Sequence, residues 1–152
     1  MRKAIIVDID NVLMDTREPD KTQPNVRTDR EAWREWQPKM AVCITIKPMF
    51  DLVKSMMDFG YTIFLVTSRE STETLIHITS QQIGILRFQG AILLMRAEDD
   101  NRPSSVVKRS LYESAIKGRY DVAFAIDDLE ENIEMYKELG IKTLQFRYGD
   151  EK

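Results

Sequence analysis

Five short apolar runs, at residues 4–7, 61–66, 91–95, 121–126 and 141–146, alternate with segments whose apolar residues recur every three or four positions. Runs of that length suit strands buried on both faces, and the longer spacing suits helices with one apolar face. Strands that alternate with amphipathic helices make βαβ units, hence a mostly parallel sheet with helices on both sides. The expected fold class is α/β, three layers around a five-stranded sheet. A chain of 152 residues is long enough for one such core and shows no linker that would divide it, so residues 1–152 read as a single domain.

Local signals place the connecting elements. Residues 14–28 are polar, show no apolar period and read as a loop. Thr28 and Glu31 have capping-box spacing and would open a helix through Trp33 and Trp36 to about Gln37, where Pro38 stops it. Residues 40–46 read as an ordered connector. Pro48 suits the first turn of the next helix and Gly60 its end. A helix over residues 72–83 would turn Leu75, Ile76, Thr79 and Ile83 inward. After a charged loop at 96–102, Pro103 opens a helix carrying Val106, Val107, Leu111 and Ala115, which ends near Gly118. The last helix, over 129–139, would bury Ile133 and Tyr136 and stop at Gly140.

In open α/β sheets ligands bind beyond the carboxyl ends of the strands, so the residues found there matter most. The first run ends in Asp8 and Asp10, on the same side of a strand because side chains alternate. The second ends in Thr67, the fourth in Asp127 and Asp128, and Lys108 lies on the helix that leads to the fourth. Carboxylates gathered at one edge repel one another unless a cation compensates, and hard oxygen ligands suit magnesium. A hydroxyl and an ammonium beside that metal match the remaining oxygens of a phosphoryl group. One carboxylate can attack phosphorus while a second moves the proton.

The order Asp8-Ile9-Asp10-Asn11-Val12, then Thr67 after Phe64-Leu65-Val66, then Lys108, then Asp127-Asp128 resembles the haloacid dehalogenase superfamily of phosphohydrolases. The resemblance runs from residue 3 to about residue 146 and implies a Rossmann-like fold with a small or absent cap. Within the superfamily the chain is similar to the phosphatase domain of phage-type polynucleotide kinases, through residues 66–70, 106–108 and 125–128 and more weakly through 140–150, including Gly149-Asp150. That likeness implies removal of 3′-phosphates from nucleic-acid ends. By the same likeness Asp8 is the expected nucleophile and Asp10 the general acid and base. Thr67 and Lys108 would hold phosphoryl oxygens, with Ser68 and Arg69 beside them as substrate-binding candidates. Asp8, the backbone carbonyl of Asp10, and Asp127 would bind Mg2+, with Asp128 binding through water or orienting its neighbour. Asn11 and Val12 stand where many members have Gly and Thr, and the superfamily accepts both. Nothing matches the phosphate-binding Gly-x-x-x-x-Gly-Lys-Ser/Thr pattern, so a kinase half is not expected.

Residues 14–47 leave room for a small lid over the site. Trp33 and Trp36 lie three apart on one helix and face the same way. They could stack on a base, but anchoring the lid is the preferred reading. Arg69 could reach a second phosphate or a sugar, or else pair with Glu70. The loop at 96–102 is expected at the rim of the site. Alone, Lys108 reads as a solvated helix charge and Thr67 as an ordinary strand end.

The net charge of −3 offers no footprint for tight non-specific nucleic-acid binding, though it leaves room for a local basic groove. A single cysteine, Cys43, rules out an internal disulfide and reads as a small buried hydrophobe in a reducing compartment. No run reaches membrane-spanning length and the start does not resemble a signal-peptide core, so the expected location is the cytoplasm of a cell or an infected host. His77 reads as incidental, and the eight methionines as core filler.

Three other functions draw on similar residues or the same fold. A nucleotidase or small-metabolite phosphatase would use the same chemistry. A response-regulator receiver also gathers acidic residues, Thr and Lys, but with the Lys last, whereas here Lys108 precedes Asp127-Asp128. A catalytically dead binding module is poorly motivated, because every required group is present.

Overall fold

The computed structural model describes residues 1–85, 88 and 90–148. Its main sheet runs in the order β5-β4-β1-β6-β7, all parallel. The strands are β1 (Arg2–Val7), β4 (Thr62–Glu70), β5 (Ile92–Arg96), β6 (Tyr120–Asp127) and β7 (Thr143–Gln145). Two short strands, β2 (Met14–Asp15) and β3 (Ile44–Thr45), form a separate antiparallel ribbon. The helices are α1 (Arg17–Asp20), α2 (Arg30–Trp36), α3 (Lys47–Asp58), α4 (Glu73–Ile85), α5 (Ser104–Ala115) and α6 (Glu130–Glu138), with a 3-10 turn at Gln37–Val42. This is the expected α/β architecture. Gly149-Asp150, part of the weaker sequence likeness, lies outside the described residues.

Alternation along β1 explains why its run is apolar throughout. Ile5 and Val7 join a cluster with Val53 of α3 and Ile63 and Leu65 of β4. Ala4 and Ile6 point the other way, to Phe64, Ile116 and Tyr136. Each face meets helices, so no position of β1 in the sheet interior calls for a polar residue. Met49, Met56 and Met57 pack against the first cluster, as filler should. At the end of α3, Gly60 adopts φ +105, which a side chain would strain.

Several boundaries differ from the sequence reading. The α2 N-cap is Asp29, whose carboxylate accepts from the Ala32 N–H at 3.0 Å, while Thr28 bonds back to Asn25. Pro38 does not end the helical path: it sits in the first turn of the 3-10 segment, where no N–H is needed. Residues 14–28 contain β2 and α1, and the connector at 40–46 supplies the partner strand β3. Ile76 and Val106 are exposed, because the inward stripes of α4 and α5 run through Leu75–Ile78 and Val107–Leu111 instead. Cys43 is half-buried against the core, and burial pushes its thiol up to about 11. Among the described residues no helix is long and apolar enough to cross a membrane.

The chain winds from β1 through β4 to β5 on one side, then returns to β6 and β7 on the other. The switch point therefore lies at β1, between β4 and β6. Register pairs Val7 with Leu65 on one side and Ile126 on the other, so β1 and β6 finish within one residue of each other while β4 runs on to Glu70.

Candidate active site

Asp8 follows directly on β1, and its N–H bonds to the Ile126 carbonyl at 3.0 Å, which seats it beside Asp127 at the end of β6. A tight turn follows, in which the Ile9 carbonyl accepts from Leu13 at 2.9 Å and from Met14 at 3.0 Å. Asn11 takes φ 61 within that turn, a left-handed conformation that favours Gly and is tolerated by Asn. This explains why Asn serves where many of the resembled proteins have Gly. Its side chain also exchanges two hydrogen bonds with Thr16 and so fixes the chain where α1 begins.

Lys108 is the central cation. It is 1% exposed, and its Nζ donates to Asp8 Oδ1 at 2.9 Å and to Asp127 Oδ2 at 2.6 Å. The reading of Lys108 as a solvated helix charge is thereby excluded. Burial works against its ammonium, but Asp8 and Asp127 more than offset it and hold the group above its usual range. Asp127 Oδ1 accepts from the Leu129 N–H and from Asn132 Nδ2, both at 3.1 Å.

Ligand oxygens of Asp8, Asp127 and Asp128 all lie within 4.8 Å of one another. Burial pushes the Asp8 carboxyl well above the usual carboxylate range, and Asp127 adds to this against the pull of Lys108. Burial likewise raises Asp128, to about 6, despite a hydrogen bond with Asp8. Three carboxylates facing one ammonium leave an uncompensated negative charge, and an all-oxygen set of this kind fits a hard divalent cation.

Asp10 is not in that cluster. Its Oδ1 accepts from Arg69 Nε at 2.9 Å, and Arg69 Nη2 approaches the same oxygen at 2.7 Å without a hydrogen-bonding angle. Arg69 is 4% exposed, and its Nη1 donates to Thr79 at 3.0 Å and to Gln82 at 2.7 Å. It is neither a surface partner of Glu70 nor a freely reaching side chain. Repulsion between Asp8 and Asp10, which the sequence suggests is the main tension, is the smallest of the influences raising Asp8. Asp127 is the neighbour that matters.

Thr67 is fully buried and its Oγ1 accepts from the Arg69 N–H at 3.1 Å. β4 continues beyond it to Glu70, with an irregular register against β5. Ser68 lines the adjacent cleft and contacts Ser104 at the start of α5.

The cleft, about 340 Å³, opens between the segment at 20–40 and the loop at 96–102. Asp10, Ser68 and Arg69 border it, with Trp33, Trp36, Arg27 and Arg102 among its walls. Four arginines (Arg27, Arg69, Arg96, Arg102) share this lining with four carboxylates (Asp10, Asp20, Glu70, Asp100), so the cleft carries no net basic charge. Arg96 spends its donors on the Ser68, Asp100 and Arg102 carbonyls, shaping the rim. His77 lies on the exposed side of α4, away from this lining.

Trp33 and Trp36 stack on each other with ring centres 5.2 Å apart. Trp36 is buried against Met40, Leu75 and Ile78, and its Nε1 donates to the Pro19 carbonyl at 3.1 Å. Trp33 Nε1 donates to Glu70 at 2.9 Å. Both indoles thus tie the segment at 14–47 to its surroundings, Trp36 to Pro19 and α4 and Trp33 to Glu70.

Sequence reading missed Glu70, Ser104 and Asn132. Buried Glu70 accepts from Trp33, from Arg30 and from the Asp99 N–H, tying α2 and the rim loop to β4. Asn132 lies five residues after Asp127, within reach of it once α6 begins, and Ser104 lies one turn before Lys108. Those spacings are the only signals the sequence carries for either.

The fold is similar to that of a chain in a Pnkp1/Rnl/Hen1 complex, at 24% identity and a TM-score of 0.78 over 99% of this chain and 47% of that one. This chain therefore spans less than half the length of that match. It is also similar to a haloacid dehalogenase-like hydrolase from Streptococcus pneumoniae, at 14% identity and a TM-score of 0.66 over 97% and 86% of the two chains. A third likeness is to a class C acid phosphatase from Bacillus anthracis with tungstate bound, at 17% identity and a TM-score of 0.59 over 95% and 66%. At such identities these likenesses speak for the fold alone. Family membership rests on the family model for the polynucleotide kinase PNKP phosphatase domain, which matches residues 2–150. With that match over nearly its whole length, the chain belongs to the PNKP phosphatase domain family and is a phosphatase of the haloacid dehalogenase type.

Proposed function

We propose that the chain is a Mg2+-dependent phosphomonoester hydrolase that removes 3′-phosphates from nucleic-acid ends through an aspartyl-phosphate on Asp8. The observation that carries this is the buried bridge of Lys108 between Asp8 and Asp127, with Asp128 completing an oxygen cluster; Asp8 lies two residues along the chain from Asp10, which borders the cleft.

Asp8, Asp127 and Asp128 would hold Mg2+, with the Asp10 carbonyl as the further ligand that family likeness suggests. When bound, the ion supplies positive charge beside the transferring phosphoryl group. Lys108 occupies Asp8 Oδ1 and leaves Oδ2 as the attacking oxygen. As the new oxygen–phosphorus bond forms, the ester oxygen departs and takes a proton from Asp10. Water then attacks the same phosphorus, gives its proton to Asp10 and releases Asp8 with inorganic phosphate. Arg69 holds Asp10 by Oδ1, which leaves Oδ2 for the proton. Thr67 and Lys108 bind phosphoryl oxygens.

The substrate class rests on the family match and on the shape of the cleft. Its balanced charges do not attract polyanions from a distance, so recognition is short-range, at the terminal nucleotide. The test is phosphate release with Mg2+ from a 3′-phosphorylated oligonucleotide, compared with nucleoside monophosphates and sugar phosphates. Preference for the oligonucleotide supports the proposal. Equal or better turnover of the small esters would assign the chain to nucleotidase or metabolite chemistry.

A further inference from the structure

Asn132, Ser104 and Ser68 form an unbroken polar chain from the metal-side carboxylate to the cleft. Asn132 Nδ2 donates to Asp127 Oδ1 at 3.1 Å and to Ser104 Oγ at 3.2 Å, and Ser104 Oγ contacts Ser68 Oγ. An ionised carboxylate only accepts, so the amide must turn its NH2 group towards Asp127, and both amide hydrogens are then committed. The cost of that orientation is visible: Asn132 Oδ1 is buried without a partner among the described residues. A side chain held at that expense is held for the groups to which it donates.

Ser104 Oγ accepts from Asn132, and Ser104 and Ser68 share one hydrogen bond in which either hydroxyl can donate. Ser68 lines the cleft beside Asp10 and directly follows Thr67. With Ser104 as the donor, the Ser68 hydroxyl hydrogen is left for a ligand in the cleft.

We propose that Asn132 and Ser104 are positioning residues that polarise Ser68 as a donor to the phosphoryl group and couple its occupancy to the orientation of Asp127. This rests on the proposed phosphoryl site at Asp8. Each hydroxyl that accepts a hydrogen bond becomes a better donor in the next, so the relay strengthens Ser68 without adding charge. At the other end Asn132 and Leu129 N–H fill Asp127 Oδ1, and Lys108 takes one site on Oδ2. The lone pair left on Oδ2 is the one available to a cation.

The test titrates inorganic phosphate into the Mg2+-loaded protein and, separately, Mg2+ into the metal-free protein, both by calorimetry, for wild type, Ser68→Ala, Ser104→Ala, the double variant and Asn132→Leu. Ser104→Ala should weaken phosphate binding roughly three- to tenfold, the scale of one ordinary hydrogen bond, and leave Mg2+ affinity and thermal unfolding unchanged. Combined with Ser68→Ala it should add nothing, because the two act as one unit. Asn132→Leu should weaken both phosphate and Mg2+ binding. Wild-type phosphate affinity in Ser104→Ala, or additive losses in the double variant, would overturn the relay alone. Failure of the wild type to bind phosphate would overturn the phosphoryl site and the relay with it.

Discussion

Arg69 Nε donates to Asp10 Oδ1 across 2.9 Å and so joins the end of β4 to the turn after β1, 59 positions apart in the chain. The guanidinium fork spans Asp10, Thr79 and Gln82, which a lysine ammonium on a flexible stem does not match. Arg69→Lys should keep the fold and lower kcat on the order of a hundredfold, the scale of a misplaced catalytic group. Arg69→Leu should in addition cost about 3–5 kcal/mol of stability by stranding its buried partners. Steady-state kinetics and urea unfolding of the two variants check this.

Asp8→Asn removes the attacking carboxylate while keeping its shape. Turnover should vanish, and acid-quenched wild-type enzyme should carry hydroxylamine-sensitive phosphate that the variant lacks. Because burial and Asp127 both disfavour a charge on Asp8, the neutral amide should raise the melting temperature of the metal-free protein above that of wild type. Retained turnover would remove Asp8 as the nucleophile.

Glu70 gathers Trp33, Arg30 and the Asp99 N–H from two segments that face each other across the cleft. Glu70→Ala strands those donors and should cost about 1–3 kcal/mol. KM for the 3′-phosphorylated oligonucleotide should rise more than kcat falls, since the lid and rim loosen while Asp8 and Lys108 stay in place. Proportional loss of both parameters would show that the latch acts on the chemistry instead.

The acidic cluster predicts an inverted pH response in the metal-free protein. Burial raises the folded-state affinity of Asp8 and Asp128 for protons, Asp128 to about 6, above the unfolded value of 3.8. From pH 7 down to about 5 the folded state therefore takes up more protons than the unfolded state, and stability rises as pH falls. Saturating Mg2+ should flatten that slope by binding the ionised form. Thermal unfolding at pH 5, 6 and 7 with and without Mg2+ measures it. Below about pH 4 the trend reverses, because Asp100, held down at about 2 by Arg102, loses its pairing.

How far the sequence could be read follows from which interactions are local. The strands were legible because burial on both faces leaves a continuous apolar run, as at residues 4–7, and Asp8, Thr67 and Asp127 were legible because each closes such a run. Asp29 as the α2 cap was not, since Thr28 satisfies the same spacing rule and only backbone dihedrals separate them. The lid's ribbon was missed because strands of two residues carry no period.

Local pattern alone determined the parallel α/β sheet and the acidic residues at its carboxyl edge, since strand ends and side-chain alternation are properties of neighbouring residues. Tertiary structure alone decided that Lys108 is buried between Asp8 and Asp127, that Arg69 serves Asp10, and that Asn132, Ser104 and Glu70 belong to the site. Each of these depends on the rotation of a helix about its axis or on a contact between distant segments. Packing of the completed core sets both, and no local spacing encodes them.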